Sequence, residues 1–142
     1  MDDRRRRADR DLSVPGGDAG QGLRGRAARD DDRRGATVSL QHVVLFHFPA
    51  DLPAGEEADL RARVAAWPAE IGGMTAIRFG RARWTDRTRG YQYLLYMEFP
   101  DEEALRAYQQ HPLHVEFAAW VAGLGNTALA FDYPLDDTTV IL

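Results

Sequence analysis

The stretch YQYLLYMEF, residues 91–99, decides the fold. Tyr91, Tyr93, Leu95, Met97 and Phe99 fall on one side of a period-two alternation, and Gln92, Leu94, Tyr96 and Glu98 on the other. A pleated strand produces that period because successive side chains leave opposite faces. Pro100 and Asp101 then open a helix led by Glu102 and Glu103, with Ala104, Leu105 and Tyr108 as its apolar stripe. His111–Pro112 interrupts it, since a proline keeps the preceding residue out of helical backbone. Leu113–Gly123 resumes helically through Val115, Phe117, Ala118 and Val121, and Thr127–Tyr133 reads as a last strand.

Working back from Tyr91, Trp84–Gly90 is a charged loop and Met74–Arg83 an earlier strand, with Thr75, Ile77 and Phe79 alternating against Ala76, Arg78 and Gly80. Leu60, Val64, Trp67 and Ile71 recur at helical spacing, and Pro68 with Gly72–Gly73 ends that helix. Gln41–Phe48 is a first strand, apolar on both faces: His42, Val44, Phe46 and Phe48 on one, Val43, Leu45 and His47 on the other. A strand apolar on both faces is covered on both. The order β-α-β-β-α-(α)-β is the split βαβ, ferredoxin-like α+β plan. Helices cover one face of such a sheet. We expect the other to be His42, Val44, Phe46, Tyr93, Leu95 and Met97, too apolar to stay wet and closed by a second copy into a dimeric α/β barrel.

The 142 residues suit one domain. Residues 1–36 are largely Arg, Asp, Gly and Ala, too polar to offset the entropy of ordering, and read as a disordered tail. Its ten Arg face eight Asp, a net of +2, while the remaining 106 residues carry eight Arg and fourteen acids, a net of −6. The interleaved acids cancel the field that nucleic-acid binding needs, so no nucleic-acid partner is expected. Lys is absent and Asn126 is the sole Asn, a bias of GC-rich bacterial genomes; there Val38 can also be a start codon, and the alternative to a translated tail is an artefact of start-site choice. The domain is expected over residues 37–135, with a C-terminal tail at 136–142. Without Cys there are no disulfides, thiolate metal sites or cysteine nucleophiles. No apolar run reaches the roughly 20 residues of a membrane span, and a cytoplasmic location is the expectation.

Tyr108-x-x-His111-Pro112-x-His114-Val115-x-Phe117 is the densest polar constellation. With His42–Phe46, Gly90–Tyr91, Asp101–Leu105 and Phe131–Tyr133, it resembles the landmarks of the stress-responsive dimeric α/β-barrel (Dabb) family, over residues 41–133. That family includes plant stress proteins and a plant polyketide cyclase that closes rings by aldol condensation without cofactor or metal. The resemblance implies catalytic roles for Tyr108 and His114, with His42 and Asp132 at the positions of its first-strand His and last-strand acid. Tyr93 stands where the cyclase has a third-strand His, and Leu60 and Val64 replace aromatic residues of its first helix.

The chemistry is physically coherent. An imidazole suits proton removal next to a carbonyl, a buried phenol holds the developing oxyanion, and Asp132 would fix the His114 tautomer. The expected function is binding, with cyclisation as the candidate reaction, of a small hydrophobic carbonyl compound against His42, Val44, Phe46, Leu60, Val64, Tyr93, Leu95, Met97 and Phe117. Two other readings stay open: a non-catalytic stress-responsive or structural dimer, and a cofactor-free monooxygenase of the antibiotic-biosynthesis type. A metal site on His111, His114 and Glu116 or Asp132 scores lower, because no established metal signature is present.

Overall fold

A computed structural model of the chain describes residues 38–142; the tail expected at 1–36 lies outside the described residues. The strands are β1 (Leu40–His47), β2 (Ala76–Arg81), β3 (Tyr93–Phe99) and β4 (Thr127–Pro134). Helix α1 (Ala54–Glu70) joins the first two, and α2 (Glu102–Gln110) and α3 (Pro112–Gly123) join the last two. All strand pairs are antiparallel, in the order β2-β3-β1-β4. This is the ferredoxin-like α+β plan read from the sequence.

Each helix end has a local cause. Asp101 caps α2 by accepting the Ala104 N–H at 2.8 Å, and Glu102 and Glu103 sit where the helix dipole favours acids. Pro68 lies within the last turn of α1 without ending it. The chain leaves the helix at Ile71 and Gly72, whose N–H groups both reach the Trp67 carbonyl, and then turns through Gly72 and Gly73 at φ of 74° and 88°.

The register defines two faces. One carries the rows Ile77–Met97–His42–Asp132 and Phe79–Leu95–Val44–Ala130. The other carries Gly80–Leu94–Leu45–Leu129 and Arg78–Tyr96–Val43–Phe131. Here the structure corrects the sequence reading. His42, Phe46, Tyr93, Leu95 and Met97 are buried in one core with Leu60, Val64, Trp67, Leu105, Tyr108, Phe117 and Val121 of the helices. The face expected to await a second copy is therefore the helix-covered one, and the bare face is Val43, Leu45, Leu94, Leu129 and Phe131. Burial of aromatic bulk decides this: Phe46, Phe48, Tyr93 and Phe99 need the thick helical layer. The opposite rows hold Gln41, Arg78, Gly80 and Glu98, which tolerate thinner cover.

Gly125 turns the chain from α3 into β4 at φ 89°, and a Cβ added there would lie 2.7 Å from Pro49 Cγ. Backbone strain and contact thus act together. Gly125→Ala should lower unfolding stability by about 2 kcal/mol, read as a reduced urea midpoint with unchanged slope; an unchanged midpoint would refute this.

Candidate functional site

The helix break builds the site. Pro112 has no N–H, so the α2 ladder stops, and the Tyr108 carbonyl is met by the His111 N–H at 3.2 Å instead. The His111 ring caps α3 by accepting the Leu113 N–H at Nδ1, 3.1 Å away. That N–H would otherwise have gone to the Gln109 carbonyl. Freed by this exchange, the Gln109 carbonyl accepts from His114 Nδ1 at 3.1 Å. A carbonyl only accepts, so the neutral His114 ring carries its proton on Nδ1 and keeps Nε2 as a basic lone pair.

Tyr108 and His114, on either side of the break, meet with ring centroids 4.5 Å apart. Both border a cavity of about 240 Å³ between the sheet and α2–α3, lined also by Val44, Phe46, Leu95, Phe117, Asn126 and Ala128. Trp67 of α1 packs edge-on against Tyr108 at 5.5 Å and beside His114 at 6.1 Å. Burial, and then the negative charge of Asp132, push the Tyr108 phenol well above its ordinary pKa, and no hydrogen bond from a described residue perturbs it. It is a neutral donor at any physiological pH. Burial also lowers the His114 pKa, with the bond to Gln109 opposing and His42 reinforcing the shift, which favours the neutral base near pH 7.

The structure distributes the remaining candidates as follows. Asp132 does not touch His114; it pairs across the β1–β4 ladder with His42, Nδ1 to Oδ1 at 2.5 Å. The expectation that Asp132 sets the His114 tautomer is thus replaced by the Gln109 carbonyl. His42 is buried behind Tyr108, ring centroids 5.7 Å apart. Val44, Phe46, Leu95 and Phe117 line the cavity; Leu60, Val64, Tyr93 and Met97 lie in the core around it. The sequence reading missed Trp67, though it marked the helical stripe that carries it, and missed Asn126. Among the described residues no three His, Asp or Glu side chains converge as a metal would require, and no helix is long and apolar enough to cross a membrane.

The profile of the Stress responsive A/B Barrel Domain matches residues 40–135. The chain belongs to this family. An uncharacterised protein of Streptomyces coelicolor is 32% identical over 91 residues, covering 58% of this chain and 93% of the relative. Similar solved structures include a dimeric ferredoxin-like protein of Thermobifida fusca with TM-score 0.61 at 21% identity, covering 70% of this chain and 93% of that one. A hydroxynitrile lyase of Passiflora edulis superposes with TM-score 0.63 at 15% identity, covering 72% and 97%. SnoaB, a cofactor-independent oxygenase of Streptomyces nogalater, reaches 0.54 at 21%, covering 67% and 90%. At these identities the likeness is one of fold. The fold is thus shared with proteins whose names give different activities, a lyase and an oxygenase.

Proposed function

We propose that this A/B-barrel protein binds a small hydrophobic carbonyl compound between Tyr108 and His114 and closes it by cofactor-free aldol condensation. The observation that carries the reading is the convergence of a neutral phenol and a carbonyl-oriented imidazole on one apolar cavity. His114 Nε2 takes a proton from the carbon beside one carbonyl. The resulting enolate carbon attacks a second carbonyl carbon, whose π electrons move to oxygen. The imidazolium returns its proton to that oxygen while the Tyr108 hydroxyl donates a hydrogen bond to it. The Asp132 carboxylate, hydrogen-bonded to His42 behind the phenol, disfavours its ionisation and keeps Tyr108 a donor. At about 240 Å³ the cavity lies below the roughly 300–1,000 Å³ of drug-sized sites, which favours a small substrate.

The bare sheet face supports a homodimer. Leu94, Leu129 and Phe131 are exposed there, and contiguous apolar surface of this kind marks an interface; a second copy laid sheet to sheet covers it symmetrically.

The test is titration with a small aromatic diketone, read by isothermal calorimetry, followed by a turnover assay on the same compounds. Tyr108→Phe should slow ring closure by about 10²- to 10³-fold while leaving the melting temperature within a few degrees, because the lost hydroxyl holds no described partner. Loss of fold stability without any ligand response in the wild type would make Tyr108 structural and end the catalytic reading.

A further inference from the structure

The cavity beside Tyr108 and His114 holds a third polar side chain, which the proposed reaction does not use. Asn126 lines it, and apart from these three every lining residue is apolar. Asn126 is half-buried and anchored twice. Its backbone N–H donates to the Val121 carbonyl at 3.0 Å, and its Oδ1 accepts from the His47 N–H at 2.9 Å. The second bond also orients the carboxamide. Only its oxygen can accept, so the nitrogen takes the other place. Nδ2 carries two N–H groups and makes no hydrogen bond to a described residue.

The register sets this donor apart from the reacting pair. Tyr108 packs on His42, which pairs with Asp132, whereas Asn126 precedes Thr127, which pairs with His47. His42 and His47 are five residues apart on β1, about 17 Å at the rise of a strand. Val44 and Phe46 lie between them and line the cavity. Alternation back from Asp132 through Ala130 and Ala128 keeps Asn126 on the helix-covered face.

We propose that Asn126 Nδ2 holds a neutral carbonyl oxygen of the bound compound, at the other end of the cavity from the carbons that react. This deepens the carbonyl-binding reading above and rests on it. The acceptor is neutral because no Arg lines the cavity. A carboxylate would leave water there without a counter-charge. A ketone, ester or amide oxygen loses far less, and it meets a donor already held in place by His47. An alkyl tail would instead cover Nδ2 and leave a donor dry. Asn126 thus selects compounds with an oxygen beyond the two carbonyls that condense, and rejects alkyl-ended ones of the same shape.

Two aryl diketones of one shape provide the test. One bears a para acetyl group, and the other a para isopropenyl group, in which a methylene replaces the carbonyl oxygen. Both are titrated calorimetrically at pH 7 into the 142-residue protein, Asn126→Asp and Asn126→Ala. Wild type is expected to bind the acetyl compound about 5- to 100-fold more tightly. Asn126→Asp still accepts the His47 N–H but offers no donor, so it should lose that preference with its melting temperature within a few degrees of wild type. Asn126→Ala drops both bonds and should lose the preference together with some thermal stability, which separates the anchor from the donor. Wild type binding neither compound would remove the carbonyl-binding reading and the role of Asn126 with it. Equal wild-type affinity for the two compounds, or a preference that survives in both variants, overturns the role of Asn126 alone.

Discussion

His114→Ala is expected to reduce turnover by about 10²- to 10⁴-fold, the range that a positioned general base contributes, with little effect on stability. Pro112 and the His111 cap release the Gln109 carbonyl, which holds His114 Nδ1; only Nε2 is then left to accept a proton. Alanine removes that lone pair from a half-buried position whose loss the neighbouring core tolerates. The pH profile provides a second signature. Burial first, and His42 after it, hold the His114 pKa below the ordinary histidine value. Activity per enzyme should therefore persist below pH 6.5 and fall only as the pH drops through the depressed pKa. Folding stability follows the same group. The unfolded imidazole takes up its proton near pH 6.5, before the folded one does, so the unfolded state binds more protons in that window and stability declines as the pH falls below about 6.5. His114→Ala should flatten that part of the stability profile. If turnover survives the substitution, or the acid limb stays in place without the imidazole, His114 is not the base.

The order and types of the elements were legible from period and punctuation alone. Tyr91–Phe99 alternates, the stripe Leu60-Val64-Trp67 repeats helically, and His111–Pro112 must break a helix. Which sheet face the helices cover was not legible from alternation, because alternation groups residues without orienting the group. Side-chain inventory carried the missing signal: the rows with Gln41, Arg78, Gly80 and Glu98 are poorer partners for a helical layer than the rows with Phe46, Tyr93 and Met97. Asp132 shows another limit. Its pairing with His42 follows from the β1–β4 register, a long-range quantity set by the connection through Gly125, and no spacing in the sequence encodes it. The Gln109 carbonyl escaped notice for a different reason. Backbone acceptors have no residue type, and this one becomes available only after Leu113 has been diverted to the His111 ring.

The other large effect should come from a residue without polar chemistry at the reacting centre. Trp67→Ala is expected to cost about 3–5 kcal/mol of stability, a large share of the roughly 5–15 kcal/mol that holds a domain folded. Trp67 is 2% exposed and packs on Tyr108, His114 and Phe117, with ring centroids 5.5, 6.1 and 4.8 Å away. Removing the indole leaves a void bordered by both proposed catalytic rings, and their edge-on contacts lose a partner that the surrounding helices cannot replace by small shifts. Trp67→Phe keeps an aromatic face there and should recover most of the stability. The pair of variants also separates scaffold from chemistry. Phenylalanine preserves the edge contact that fixes the Tyr108 ring, so it should retain turnover close to wild type, whereas alanine should lower turnover even at temperatures where the protein stays folded. Chemical denaturation of the three proteins, paired with ligand titration, measures both. Equal midpoints for alanine and wild type would show that the cavity wall does not depend on the indole.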